Sequence, residues 1–180
     1  MELDAIALGN EGSSLFRNTF LESDAALNDF VERWKLGTLP KSAWTHAAHV
    51  AVAAYLAFDH PLEAAFENIK TGILHFNASV GTPNTDDSGY HETLTRFWCT
   101  TIGEFVRLGG FASQLEAVRA TVRLFGEDRE RHRLFYSFDV VGDRRARREW
   151  IAPDRNPAPD WVGHSIGRVP SATACEKDHG

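Results

Sequence analysis

Apolar residues recur at threes and fours through most of the middle of the chain. After Ser23, which has the chemistry of a helix cap, Leu27, Phe30, Val31 and Trp34 fall on one helical face, and Gly37 and Pro40 close the segment. Ser42 or Thr45 opens a second helix running to about Phe58, apolar nearly all round and therefore expected to be buried on all sides. Asp59-His60-Pro61 stops it and starts a third, in which Leu62, Phe66, Ile69, Ile73 and Phe76 make an amphipathic stripe ending near Asn77. A turn-rich loop from Gly81 to Gly89 follows, placed to act as a lid. Leu94, Trp98, Ile102, Phe105 and Val106 then mark a helix that stops at Gly109-Gly110. Ser113 and Glu116 read as a capping box ahead of Leu115, Val118, Val122 and Phe125, with Gly126 as the stop.

Beyond this the periodicity fades. Residues 134–141 fit a short helix or an extended segment equally, and Asp143 caps a short helix through Trp150. Strand alternation is nearly absent and no internal repeat is visible. The expected fold is all-α: a single-domain bundle of five or six helices over residues 23–155, with a loose arm over 1–22 and an irregular Pro/Gly-rich tail over 156–180. At 180 residues the chain suffices for one domain with a full core.

A formal charge of −6 argues against a nucleic-acid surface. The longest apolar run is too short to span a bilayer. Two cysteines, Cys99 and Cys175, make no disulfide framework, and the acidic start, Met1-Glu2-Leu3-Asp4, does not resemble a signal peptide. A cytoplasmic protein with a small-molecule substrate, and neither a nucleic-acid nor a membrane partner, is expected. Arginines at 129, 131, 133, 144, 145, 147 and 148 are a local basic exception. The acidic residues among them make a solvated, salt-bridged face the ordinary reading.

The candidate chemistry lies in two short stretches. In Trp44-Thr45-His46-Ala47-Ala48-His49 the two histidines are three apart, so on a helix they share a face. Tyr90-His91-Glu92-Thr93-Leu94-Thr95 brings a third imidazole and a carboxylate to the start of another helix. Imidazoles inside an apolar helix need hydrogen-bond partners or a metal, because an unpaired buried polar group costs about 1–3 kcal/mol. His46, His49 and His91 are therefore candidate ligands of one divalent transition metal, zinc or iron. The alternative is a set of core histidines bonded to backbone carbonyls.

Glu92 is a candidate fourth ligand or general base on a metal-bound water; with Gly89 as N-cap it also fits a capping-box position, and it precedes Arg96 by four for an ion pair. Tyr90 and Tyr136 are candidate proton donors or substrate anchors, or packing residues with one hydrogen bond. Thr45, Thr93 and Thr95 can orient their neighbours, and His75 and His132 are spare histidines. The functional expectation is a metal-dependent enzyme acting on a small molecule between helices. Three histidines suit hydrolytic zinc chemistry, and two with a carboxylate suit oxidative non-haem iron chemistry. The other expectation is a metal-free, small-molecule-binding helical module.

At these residues the chain resembles a family of small bacterial all-helical proteins sharing W-x-H-x-x-H, Y-H-E-T-x-T and A-R-x-x-W-x-x-P-D segments. Here these are Trp44 to His49, Tyr90 to Thr95, and Ala146 to Asp154, and the resemblance spans roughly residues 25–155. It implies a shared helical fold and a shared site, and it carries no substrate. A looser likeness is to three-histidine helical bundles such as the DinB-like proteins, at the level of fold alone.

Overall fold

The computed structural model describes residues 18–155. Among them are six α-helices and no strand: α1 (Asp24–Lys35), α2 (His46–Asp59), α3 (Leu62–Ser79), α4 (Glu92–Gly109), α5 (Gln114–Phe125) and α6 (Arg144–Arg148). Short 3-10 turns stand at Thr19–Leu21, Lys41–Ala43 and Arg131–Leu134. The expected all-α bundle is thus observed. No helix among the described residues is long and apolar enough to cross a membrane.

Local chemistry starts most of the helices. The side chains of Ser23, Thr45, Ser113 and Asp143 each accept a hydrogen bond from the backbone N–H three residues on, satisfying donors that the first helical turn leaves open. At α5 the box is displaced by one residue: Glu116 Oε2 accepts from Ala112 N at 2.8 Å rather than from Ser113 itself. Gly110 ends α4 with φ +60°, a conformation in which a side chain is strained. The start of α4 departs from expectation. Its cap is His91, not Gly89, and the ring nitrogen Nδ1 accepts from Leu94 N at 3.3 Å.

Helix α2 is the centre. It packs against α3, α4 and α5, which explains why Ala47, Ala48, Val50, Ala51, Val52, Ala53, Ala54 and Leu56 are all buried and why it carries no polar face. Its small residues let the neighbours approach closely. Helix α1 closes the bundle over α3 and α5, with Trp34 lying where a Cβ on Gly72 would stand, 2.1 Å from the indole. A second, smaller cluster of Phe97, Tyr136, Val140 and Ala146 fastens the chain after α5 onto the outer side of α4.

The expected arm over 1–22 is only partly described. Residues 18–22 are packed: Leu21 is buried, Phe20 stacks on Phe30 at 4.3 Å, and Arg119 donates to the carbonyls of Leu21 and Glu22. The remainder of the arm, and the tail over 156–180, lie outside the described residues.

Candidate functional site

Helices α2 and α4, the loop before α4 and the turn after α5 enclose a cavity of about 490 Å³. His46, His49, Tyr90 and His91 all line it, so the two histidine-bearing stretches do converge. Trp44, Thr95, Trp98, Cys99 and Arg129 share the wall, as does His132, which sequence reasoning left unplaced. Glu92 and Tyr136 are not part of this wall.

The histidines are held by backbone carbonyls. His46 Nε2 donates to Phe125 O at 3.1 Å, which ties the start of α2 to the end of α5. His49 Nδ1 donates to Thr45 O one turn below it at 2.7 Å. His132 Nδ1 donates to Arg129 O at 3.1 Å inside the 3-10 turn. A carbonyl can only accept, so each bond fixes the ring's tautomer and leaves the other nitrogen without a proton in the neutral ring. For His46 that is Nδ1 and for His49 it is Nε2, and neither has a hydrogen-bond partner among the described residues. Burial lowers the pKa of His46, opposed by the Phe125 bond, and pushes that of His49 down to about 4, so both rings are neutral at physiological pH.

His91 is arranged differently. Its Nδ1 accepts from Leu94 N and its Nε2 donates to Val140 O at 3.0 Å, so both ring nitrogens are committed to backbone. It cannot ligate an ion without giving up the cap of α4. Among the described residues no group of three or more His, Cys, Asp and Glu side chains is disposed to hold a metal ion.

Glu92 faces away from the histidines, into a smaller recess of about 310 Å³ lined by Lys70, Asn84, Asp86, Arg147 and Arg148 among others. Its Oε2 accepts from Lys70 Nζ at 2.8 Å and from Tyr90 OH at 2.9 Å. The expected pairing with Arg96 does not form; Arg96 reaches Glu63 at 2.6 Å instead. Tyr90 lines both spaces, and burial, reinforced by the Glu92 charge, raises its pKa and keeps it a phenol. Tyr136 is buried in the second cluster and donates to Ile151 O at 3.0 Å; burial pushes it up to about 12. That hydroxyl anchors the chain after α6.

Several motif residues act as fasteners. Thr93 has no exposed surface; its hydroxyl donates to Glu149 O at 2.6 Å and accepts from Ile151 N at 3.0 Å. Arg147 donates to the carbonyls of Gly89 and Tyr90, both at 3.3 Å. Asp154 accepts from the backbone N and hydroxyl of Ser137, bonds that lower its pKa. The arginine-rich face does more than pair locally. Arg144 forks onto Asp87 with two 3.0 Å bonds and Arg148 reaches Asp86 at 2.7 Å, so α6 straps the loop over 81–89 beside the cavity.

Trp44 is the feature sequence reading passed over. Its ring packs on His49 with centroids 4.0 Å apart, and its Nε1 is buried without a hydrogen-bond partner. Trp34 Nε1 shares that condition, and Trp34 does not line the cavity. No protein-family model, curated protein or solved structure matches this chain.

Proposed function

We propose that the cavity is a small-molecule-binding site whose polar contacts come from neutral histidines. The observation that carries this reading is the pair of bare ring nitrogens, His46 Nδ1 and His49 Nε2, on the wall of a half-enclosed space of about 490 Å³. That volume falls within the roughly 300–1,000 Å³ typical of ligand pockets, and a mostly apolar wall with a few placed polar atoms is their usual composition.

The test is a ligand-observed NMR screen of mono- and bicyclic fragments against the wild type and Ala53→Phe. Ala53 lines the cavity, so the larger side chain fills it. Hits that vanish in the filled variant, with its fold retained, support the site. Hits that persist there, or a screen without hits, would remove this reading.

A second reading is favoured by the same bonds seen from the other side. A histidine that ligates a metal commonly gives its remaining N–H to a carbonyl, as His46 and His49 do. In this reading the two hold a zinc or iron ion together with ligands from solvent or substrate, and the protein is a metal-dependent enzyme. His91 then serves as the cap of α4 rather than as a third ligand. Elemental analysis of untagged protein after reconstitution distinguishes the readings: near-stoichiometric metal lost in both His46→Ala and His49→Ala supports the second.

A further inference from the structure

Charge on the cavity wall is confined to its rim, and this inference rests on the reading of the cavity as a small-molecule site. Among the described residues, the only Asp, Glu, Lys or Arg side chains lining the space are those of Arg129 and Glu130, both exposed. The two are not equivalent. Glu130 is paired with Arg133 on the same turn, and the neighbouring Asp128 pairs with Arg131 at 2.9 Å. Arg129 makes no side-chain hydrogen bond or ion pair among the described residues, so the rim presents an uncompensated guanidinium.

That charge acts on the interior. Burial is the main cause of the lowered pKa of His46 and of His49, and the Arg129 charge lowers both further, so its field reaches both imidazoles. Inside the rim the polar atoms are acceptors. His46 and His49 are half-buried, and their bare nitrogens, Nδ1 and Nε2, are not among the polar atoms sealed from solvent. A lone pair attracts an N–H or O–H and repels an anion. A carboxylate pushed inside would lose its hydration and meet those lone pairs. One left at the rim keeps water and gains the Arg129 guanidinium, whose planar N–H donors match two carboxylate oxygens. The remaining wall, with Ile69, Ile73 and the Trp98 ring, suits a flat apolar body.

We infer that the cavity takes an aromatic monocarboxylate, with its ring system inside and its carboxylate at the rim against Arg129. The formal charge of −6 on the chain disfavours an anion at long range, so a preference for the carboxylate has to come from the rim and not from the protein as a whole.

The experiment uses three naphthalenes of one shape, titrated calorimetrically into the full chain at neutral pH and low salt. 2-Naphthoate is an anion, 2-naphthamide is neutral, and naphthalen-2-ylmethylammonium is a cation. The expected result is naphthoate binding about fivefold tighter than the amide, the ratio given by about 1 kcal/mol for an exposed ion pair at 1.4 kcal/mol per decade, with the cation weakest. That advantage should shrink in high salt and vanish in Arg129→Gln, while the affinity for the amide stays the same. Arg129 is exposed and unpaired, so the variant should unfold as the wild type does; the wild-type ratio and its salt dependence decide alone if it does not. Naphthoate should no longer bind Ala53→Phe, in which the cavity is filled. Equal binding of naphthoate and amide, tightest binding of the cation, an advantage that survives Arg129→Gln, or naphthoate binding that survives Ala53→Phe would each overturn the inference. The first three leave a ligand site standing. Saturable binding by none of the three compounds would overturn the inference, and together with an empty fragment screen it would remove the site as well.

Discussion

Replacing His91 with phenylalanine should destabilise the protein without touching any ligand-binding atom. The ring is 6% exposed and closes two backbone groups, Leu94 N–H at 3.3 Å and Val140 C=O at 3.0 Å. Phenylalanine fills the same space and satisfies neither. Stranding each group costs about 1–3 kcal/mol, so the combined loss should be roughly 2–6 kcal/mol. His91→Asn should recover part of it, because asparagine is a good cap and can accept from Leu94 N, leaving Val140 alone unpaired. Urea unfolding reads the difference. With m-values of about 1–3 kcal/mol per molar for small proteins, the Phe variant should shift the midpoint by about 0.7 M or more, with Asn lying between it and the wild type. A Phe variant as stable as the wild type would refute the bonding described for His91. If metal content fell in His91→Asn while the stability of metal-free protein did not, the three-histidine centre expected from the sequence would be right after all.

Thr93→Val keeps shape but leaves Glu149 O and Ile151 N unpaired, and it should cost about 2 kcal/mol or more; an unchanged unfolding midpoint would show that α4 does not hold that segment through the hydroxyl. Stability should also fall in mild acid. The folded pKa values of His46, His49 and His91 lie below the unfolded value of 6.5, so the unfolded chain binds more protons and the stability present above pH 6.5 is lost as pH drops. His49, at about 4, alone contributes roughly 3 kcal/mol of that loss, complete near pH 4, and a midpoint flat from pH 7 to 4.5 would contradict it. Cys99 is buried and its thiol pKa is raised by burial, so in a Cys175→Ser background native-state labelling should be slow and become fast only on unfolding; rapid labelling would show that α4 opens.

Much of the helical framework was legible because its determinants are local. Ser23, Thr45, Ser113 and Asp143 act on an N–H three residues away, and the apolar stripes of α3, α4 and α5 need only helical spacing. His46, His49 and His91 border one cavity, but the three-histidine cluster expected from the two stretches is not found among the described residues. What the residues do there was not legible. The partner of His91 Nε2 is 49 residues away and that of His46 is 79, and nothing local announces either. His91 as a cap falls outside the usual Ser, Thr, Asp and Asn preference, so Gly89 drew the assignment instead. Glu92 met Lys70 from α3 rather than Arg96 on its own helix, and Tyr136 met Ile151, each through packing that periodicity does not encode. His132 and Trp44 reach the cavity through short turns outside any regular stripe.

The central claim is that His46 Nδ1 and His49 Nε2 are bare acceptors presented to a ligand. Long-range proton–nitrogen correlation spectra of the histidine side chains test it directly, recorded alone and then with the tightest fragment of the screen at saturation. The account predicts neutral rings at pH 7, with the proton on Nε2 of His46 and on Nδ1 of His49, and a ligand-dependent shift at one or both bare nitrogens. Opposite tautomers, or bare nitrogens that do not move when the cavity is filled, would contradict it.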